Sequence, residues 1–197
     1  LADKFVAKEV WQTPTLVLLQ QNAFPTAQVA ATRDERERYM PAATLAIWRK
    51  ERAEQMRFLT PAESALHERL RAKSASLVGQ MQRRGVRILA GTDSPAPYVF
   101  PGSALHDELA LLVEAGLTPR EALETATRNA AEFLGTTENA GTVKPGKFAD
   151  LVLLDADPLE DIRNTERIRA VVLRGQLLDR EALDGLLAGE LRFASGH

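Results

Sequence analysis

Cysteine is absent from the 197 residues, which excludes disulfides and thiolate metal ligands and favours a cytoplasmic home. Histidine is scarce: His67, His106 and His197 are the full set, and they have no metal-ligand spacing. No apolar run approaches the about 20 residues of a membrane span, and no charged-then-apolar leader opens the chain, so no membrane partner is expected. An excess of either charge is lacking too, with 25 basic against 27 acidic residues and a net charge of −2. The basic residues are spread along helix-like stretches instead of clustering with aromatics, which leaves no footprint for a nucleic acid. What remains is 45% hydrophobic sequence, enough for one sizeable core and a small second one. The opening residues, from Leu1, are already helix-like, as in a chain that starts partway through a longer one.

The most informative stretch is Val86-Arg87-Ile88-Leu89-Ala90-Gly91-Thr92-Asp93, followed by Ser94-Pro95-Ala96-Pro97. A short apolar run ending in small residues, a carboxylate and a Pro-rich loop reads as a buried parallel strand that delivers Asp93 to a crevice. In a (β/α)₈ barrel that face carries the chemistry, so Asp93 is a candidate ligand or general base. Its alternative role is to cap a turn or the next helix, since Asp before Ser-Pro is common turn chemistry.

Upstream, Asp3 to Val10 reads as the end of an amphipathic helix, and Thr13 to Leu19 as a continuous apolar strand with Pro14 at its entrance. Asn22 to Arg33 is a polar loop, either an active-site loop or a surface connection. Between Asp34 and Arg84 the pattern is helical. Leu45, Trp48, Arg52 and Met56 recur at helical spacing after Met40-Pro41, and Thr60-Pro61-Ala62-Glu63 has an N-cap, a Pro at the first helical position and a Glu three residues after the cap. Leu66, Leu70, Leu77, Val78 and Met81 then form one face up to Gly85. His67, beside that face, reads as a surface histidine.

After the Asp93 loop, a helix with Leu105, Leu109, Leu112 and Val113 on one face carries Asp107 and Glu108 in its acidic first turn. His106 lies in the same turn, as a substrate contact or as a local packing residue. Thr118-Pro119-Arg120-Glu121 repeats the cap signature. Beyond Gly141 the texture changes to the Lys144-Pro145-Gly146-Lys147 turn, strands over 149–155 and 168–173, a return through Arg174-Gly175 into Leu177-Leu178, and a final helix over 180–187. With no helix between these strands to allow a parallel crossover, they form an antiparallel unit.

Six segments resemble, in order and spacing, the C-terminal part of metal-dependent amidohydrolases, nearest to the imidazolonepropionase-like and Xaa-Pro dipeptidase-like members. They are Ile88 to Asp93, Leu105-His106-Asp107-Glu108-Leu109, Glu114 to Pro119, Ala126 to Ala131, Gly141 to Val152 and Val171 to Gly175. The resemblance implies an α/β fold: a partial (β/α)₈ TIM-type barrel comprising the last two βα units over residues 1–135, then over 136–197 strands of a small β-sandwich and a C-terminal helix. It also implies hydrolysis of a carbon–nitrogen bond, in an amide, cyclic amide or dipeptide-like small molecule. One or two divalent ions, zinc by family habit, would activate water, with Asp93 as ligand and general base, and His106 is the candidate substrate contact. The family's other ligands would precede residue 1 and nothing here replaces them. The chain alone is therefore expected to hold no metal and to be inactive, and to associate with the missing N-terminal half of the barrel or with itself through an exposed edge. One chain of a two-chain hydrolase, or a non-catalytic half-barrel used for structure or binding, are the alternatives.

Overall fold

A computed structural model describes residues 1–23, 25, 26 and 34–195. Part of the expected 22–33 loop, and His197, lie outside the described residues. Helix α1 (Ala2–Ala7) leads into an extended stretch in which Gln12 pairs in parallel with Ile88. That pairing is one bridge, made by Gln12 N–H to the Arg87 carbonyl and Leu89 N–H to the Gln12 carbonyl, both at 2.9 Å. The opposite edge of Ile88 is occupied without a strand. Asn129 Nδ2 donates to its carbonyl at 3.0 Å, and Ala90 N–H donates to the Thr125 carbonyl at 3.2 Å. The buried strand expected over 86–93 is thus reduced to a buried extended segment, with Val86 and Ile88 at its core.

The strand expected over Thr13 to Leu19 is not formed. The chain turns at Thr15, which takes a left-handed φ of 47°, then enters α2 (Leu16–Leu18) and a π-helical turn (Leu19–Ala23). Two features tip the balance. Pro14 has no N–H to give to a ladder, and the Val17 amide is taken at 2.8 Å by the carboxylate of Glu108. A continuous apolar run does not by itself separate buried strand from buried helix.

Residues Glu35–Tyr39 form a 3₁₀ turn capped by Asp34. Helix α3 (Ala42–Arg57) buries Leu45, Trp48 and Arg52, the expected stripe. Helix α4 (Pro61–Arg83) starts in a full capping box between Thr60 and Glu63, and α6 (Pro119–Ala126) in one between Thr118 and Glu121, as the two repeated signatures predict. The face of α4 is covered only near its end, where Val78 and Met81 meet the core. Leu66, Leu70 and Leu77, expected on that face, are exposed. Helices α5 (Ala104–Glu114) and α7 (Arg128–Phe133) complete the helical layer, and Leu16, Val78, Ile88, Leu109, Leu112, Leu117, Ala122 and Ile162 close the main core.

Strands β1 (Leu151–Leu154), β2 (Ile168–Leu173) and β3 (Gln176–Leu178) make an antiparallel sheet in that order. The β2–β3 turn uses Arg174 and Gly175, both at positive φ (52° and 79°), the pair a type I′ hairpin requires. Between β1 and β2 a 3₁₀ turn (Ile162–Glu166) plugs Ile162 into the main core. Helix α8 (Arg180–Ser195) packs on β2, β3 and the Glu35–Tyr39 turn, and runs beyond the expected end at Leu187 because no proline stops it. Among the described residues no helix is long and apolar enough to cross a membrane.

The approach of the two bridged segments depends on a missing side chain. A Cβ placed on Gly91 would fall well inside van der Waals distance of Thr13 Cγ2, a short β-branched group followed by Pro14. Gly91→Ala is expected to cost about 1–3 kcal/mol, the range for overpacking. Thr13→Ser, which deletes Cγ2, should recover most of it in a double-mutant cycle by urea denaturation. Additive effects of the two changes would show that these segments do not touch.

Candidate functional site

Asp93 leaves the buried 86–90 segment with its backbone in the left-handed region at φ 56°, a conformation that Asp tolerates better than most residues. Its carbonyl closes a turn with Ala96 N–H at 3.1 Å. The Thr92 hydroxyl accepts from Ser94 N–H at 3.3 Å, and the Ser94 hydroxyl donates to the Val99 carbonyl at 3.0 Å. The backbone of the loop is therefore internally tied, while the Asp93 carboxylate is exposed and, among the described residues, meets no hydrogen-bond or ion-pair partner. It caps no helix. The N-cap position of α5 belongs to Ser103.

The far end of that loop is clamped from α3. Trp48 stands 5.7 Å from both Tyr98 and Phe100, edge-on to the latter, and the three surround a small second core with Leu45. The Arg52 guanidinium lies 4.1 Å over the Tyr98 ring and donates to the Gln21 carbonyl. Burial lowers the pKa of Arg52, and the ring offsets part of the penalty. Tyr98 is held at φ 61°, a strained state for a bulky residue that packing of this kind must enforce. Arg36 adds a second clamp: it sits 5.0 Å over Phe100, pairs with Asp34 and with Asp107 at 2.6 Å each, and reaches the Ser103 hydroxyl at 3.3 Å.

His106, in the first turn of α5, engages Thr165 of the second 3₁₀ turn at 3.0 Å through Nδ1. The Thr165 hydroxyl donates to the Ile162 carbonyl at 2.8 Å, so it accepts from His106 and fixes the Nδ1–H tautomer. Burial lowers the His106 pKa, which favours the neutral ring. The structure thus gives His106 a tie between helix α5 and the C-terminal unit.

Glu108 was read from the sequence as an acidic first-turn residue; it is instead fully buried, the fifth residue of α5. One oxygen accepts from Val17 N–H and the Leu16 amide also acts on the group, while the other oxygen has no partner among the described residues. Burial outweighs these amides and pushes its pKa up to about 7. The signal was legible after all: positions 105, 108, 109 and 112 form an i, i+3, i+4, i+7 stripe with a carboxylate among three leucines.

Among the described residues no three His, Cys, Asp or Glu side chains lie together as a metal site. Asp93 offers one oxygen donor where a zinc site needs about three protein ligands, so these residues alone do not fit a metal centre. His67 is half-buried, with Nδ1 at 2.9 Å from the Pro25 carbonyl. A cavity of about 60 Å³ lined by Leu16, Leu19, Arg71, Ser74, Leu111 and Glu114, among others, includes no residue of the Asp93 loop.

A buried extended segment delivers the Asp93 carboxylate to a clamped loop with helices packed around it, and the fold is of the α/β class, like that of its solved amidohydrolase neighbours of the TIM-barrel class. The chain belongs to the amidohydrolase family, whose profile matches residues 13–178. It is similar to an ochratoxinase from Aspergillus niger, at 37% identity over 91 residues that cover 45% of this chain and 18% of that protein. It is also similar to an imidazolonepropionase from Pyrobaculum arsenaticum, at 42% identity over 87 residues covering 44% of this chain and 21% of the relative. Among solved structures, a bottromycin amidohydrolase superposes with a TM-score of 0.77 and 26% identity over 93% of this chain and 40% of that one. A Xaa-Pro dipeptidase, with a TM-score of 0.60, covers 90% of this chain and 36% of its own at 21% identity, and shares the fold. The chain thus spans about a fifth of these curated relatives by aligned length and about two fifths of the solved structures.

The burial of Glu108 has a measurable sign. Its carboxyl binds a proton more tightly folded (about 7) than at its ordinary value of 4.5, so its contribution to stability is greatest below about pH 4.5 and is lost as pH rises through 7. Glu108→Gln removes that term. The thermal midpoint of the variant relative to the unsubstituted chain should therefore rise between pH 5 and pH 8, by a margin worth up to about 3 kcal/mol. A difference independent of pH would mean that Glu108 titrates normally.

Proposed function

We propose that this chain is the C-terminal portion of a metal-dependent hydrolase of carbon–nitrogen bonds in small amide, cyclic amide or dipeptide-like substrates. In this reading residues 1–135 supply the last two βα units of the barrel, and residues 136–197 supply strands of a small sandwich. The observation that carries it is Asp93: an exposed carboxylate with no partner among the described residues, at the exit of a buried segment, on a loop tied by the Asp93–Ala96 turn and the Ser94 hydrogen bonds. A carboxylate left without partners is free to accept a proton from a water attacking the scissile carbon, and its second oxygen to act as a ligand. A divalent ion, zinc by the chemistry of the family, would polarise that water. The remaining donors, and the substrate pocket, would come from an N-terminal portion of the barrel. Large exposed apolar groups support the existence of such a partner surface: Leu66 and Leu77 on α4, Val152 and Leu153 on β1, and Leu177 on β3. His106 is engaged by Thr165, and a substrate contact from it would use Nε2.

Asp93→Asn keeps the shape of the side chain but removes the base and the anionic ligand. In an enzyme that includes the N-terminal portion it should lower kcat by at least about 10³-fold, at the upper range for loss of a general base, with the thermal midpoint within a few degrees. Retained hydrolysis would sink the assignment. By itself the 197-residue chain should bind zinc in equilibrium dialysis no better than an isolated surface carboxylate. One tightly bound zinc per chain, lost in Asp93→Asn, would show that the site is complete without a partner. Light scattering at micromolar concentration should find the chain self-associated, or paired with its N-terminal portion when that is added; a monodisperse monomer that ignores the N-terminal portion would contradict the partner surface.

A further inference from the structure

Between Gln12 and Gly91 the two extended segments share one bridge and two backbone hydrogen bonds. Past Gln12 the first segment leaves the ladder at Thr15, so nothing in the sheet fixes where it goes relative to the exit that carries Asp93. Glu108 does. It belongs to the helix that follows the Asp93 loop, yet its carboxyl receives the Val17 amide at 2.8 Å in the helix that follows the other segment, across 91 residues of sequence. The residues on either side of that contact, Leu16, Val17, Leu109 and Leu112, are all buried, so a shift of either helix would cost the buried carboxyl its amide partner. Among the described residues the other carboxyl oxygen is buried without a partner, whereas buried polar groups are ordinarily paired.

We propose that Glu108 is a positioning residue: by latching α2 to α5 it sets the separation of the two segment exits, and through it the place of the turn that opens at Asp93. The inference rests on the reading of Asp93 as the reacting carboxylate only in calling that turn a site; the latch itself is a property of the polypeptide. An alanine here removes the acceptor, whereas glutamine keeps an acceptor oxygen of the same reach, and the contrast between them separates latch from mere filling of space.

The test uses amide resonances of the 197-residue chain and needs neither metal nor substrate. In Glu108→Ala the Val17 amide should exchange with solvent at least tenfold faster, and the amide shifts of Gly91, Thr92 and Asp93 should move. In Glu108→Gln both should stay near those of the unsubstituted chain at pH 5. Glu108→Leu, which fills the space without an acceptor, should behave like Glu108→Ala. If Glu108→Leu instead preserves Val17 protection and the Gly91–Asp93 shifts, the carboxyl is a filler and the proposal is overturned. Should Glu108→Ala fail to fold, the Gln and Leu variants still decide. Loss of activity in Asp93→Asn, or its absence, leaves these readouts untouched, so the latch and the assignment of Asp93 fail separately.

Discussion

A carboxyl group buried among leucines holds together the part of this molecule where chemistry is expected. Glu108 takes the place that a strand ladder would otherwise fill, accepting from the backbone of a helix whose N-cap residue, Thr15, makes no side-chain cap hydrogen bond. Burial of a carboxyl costs free energy unless it is hydrogen-bonded, and among the described residues one of its two oxygens is left without a partner. That group is therefore tolerated where the geometry it enforces is needed, and the surrounding core of Leu16, Leu109 and Leu112 supplies the apolar burial that offsets it.

A second layer of constraint comes from arginine. Arg36 and Arg52 approach the loop after Asp93 from different elements, and each lies over an aromatic ring of that loop. A planar guanidinium can stack and hydrogen-bond at once, which lysine at either position would not reproduce. The clamps act on Tyr98 and Phe100, five and seven residues beyond Asp93. Among the described residues the Asp93 carboxylate is left without a partner while the loop behind it is packed and hydrogen-bonded, the division expected of a side chain that must stay available on a supported backbone.

What the sequence reveals follows the range of the interaction that decides it. The two capping boxes, the stop at Gly85 and the Arg174-Gly175 hairpin depend on residues within a few positions of one another, and the structure forms each of them. Thr13 to Leu19 does not form the strand its apolar run suggests, because the Val17 amide is taken by Glu108, far along the chain. The apolar stripe of α4 is real in the sequence, but Leu66, Leu70 and Leu77 remain exposed. Periodicity shows which face seeks a neighbour and says nothing of whether one is there. Asp93 stood out because a carboxylate after a buried apolar run is visible locally, whereas Trp48 and Arg52 read only as one buried stripe, since their partner loop lies some 50 residues away.

The sequence distance spanned by the Glu108 latch also sets an order of events during synthesis. Val17 is made 91 residues before its acceptor, and at about 5–20 residues per second a ribosome needs roughly 5–18 s to cover that stretch. For that interval the Leu16–Leu19 run has no carboxyl to accept its amides and no α5 to cover it. A nascent chain in this state presents a short apolar segment with strand-like composition to whatever is near, so its safest companions are chaperones that bind such segments until residue 108 has emerged.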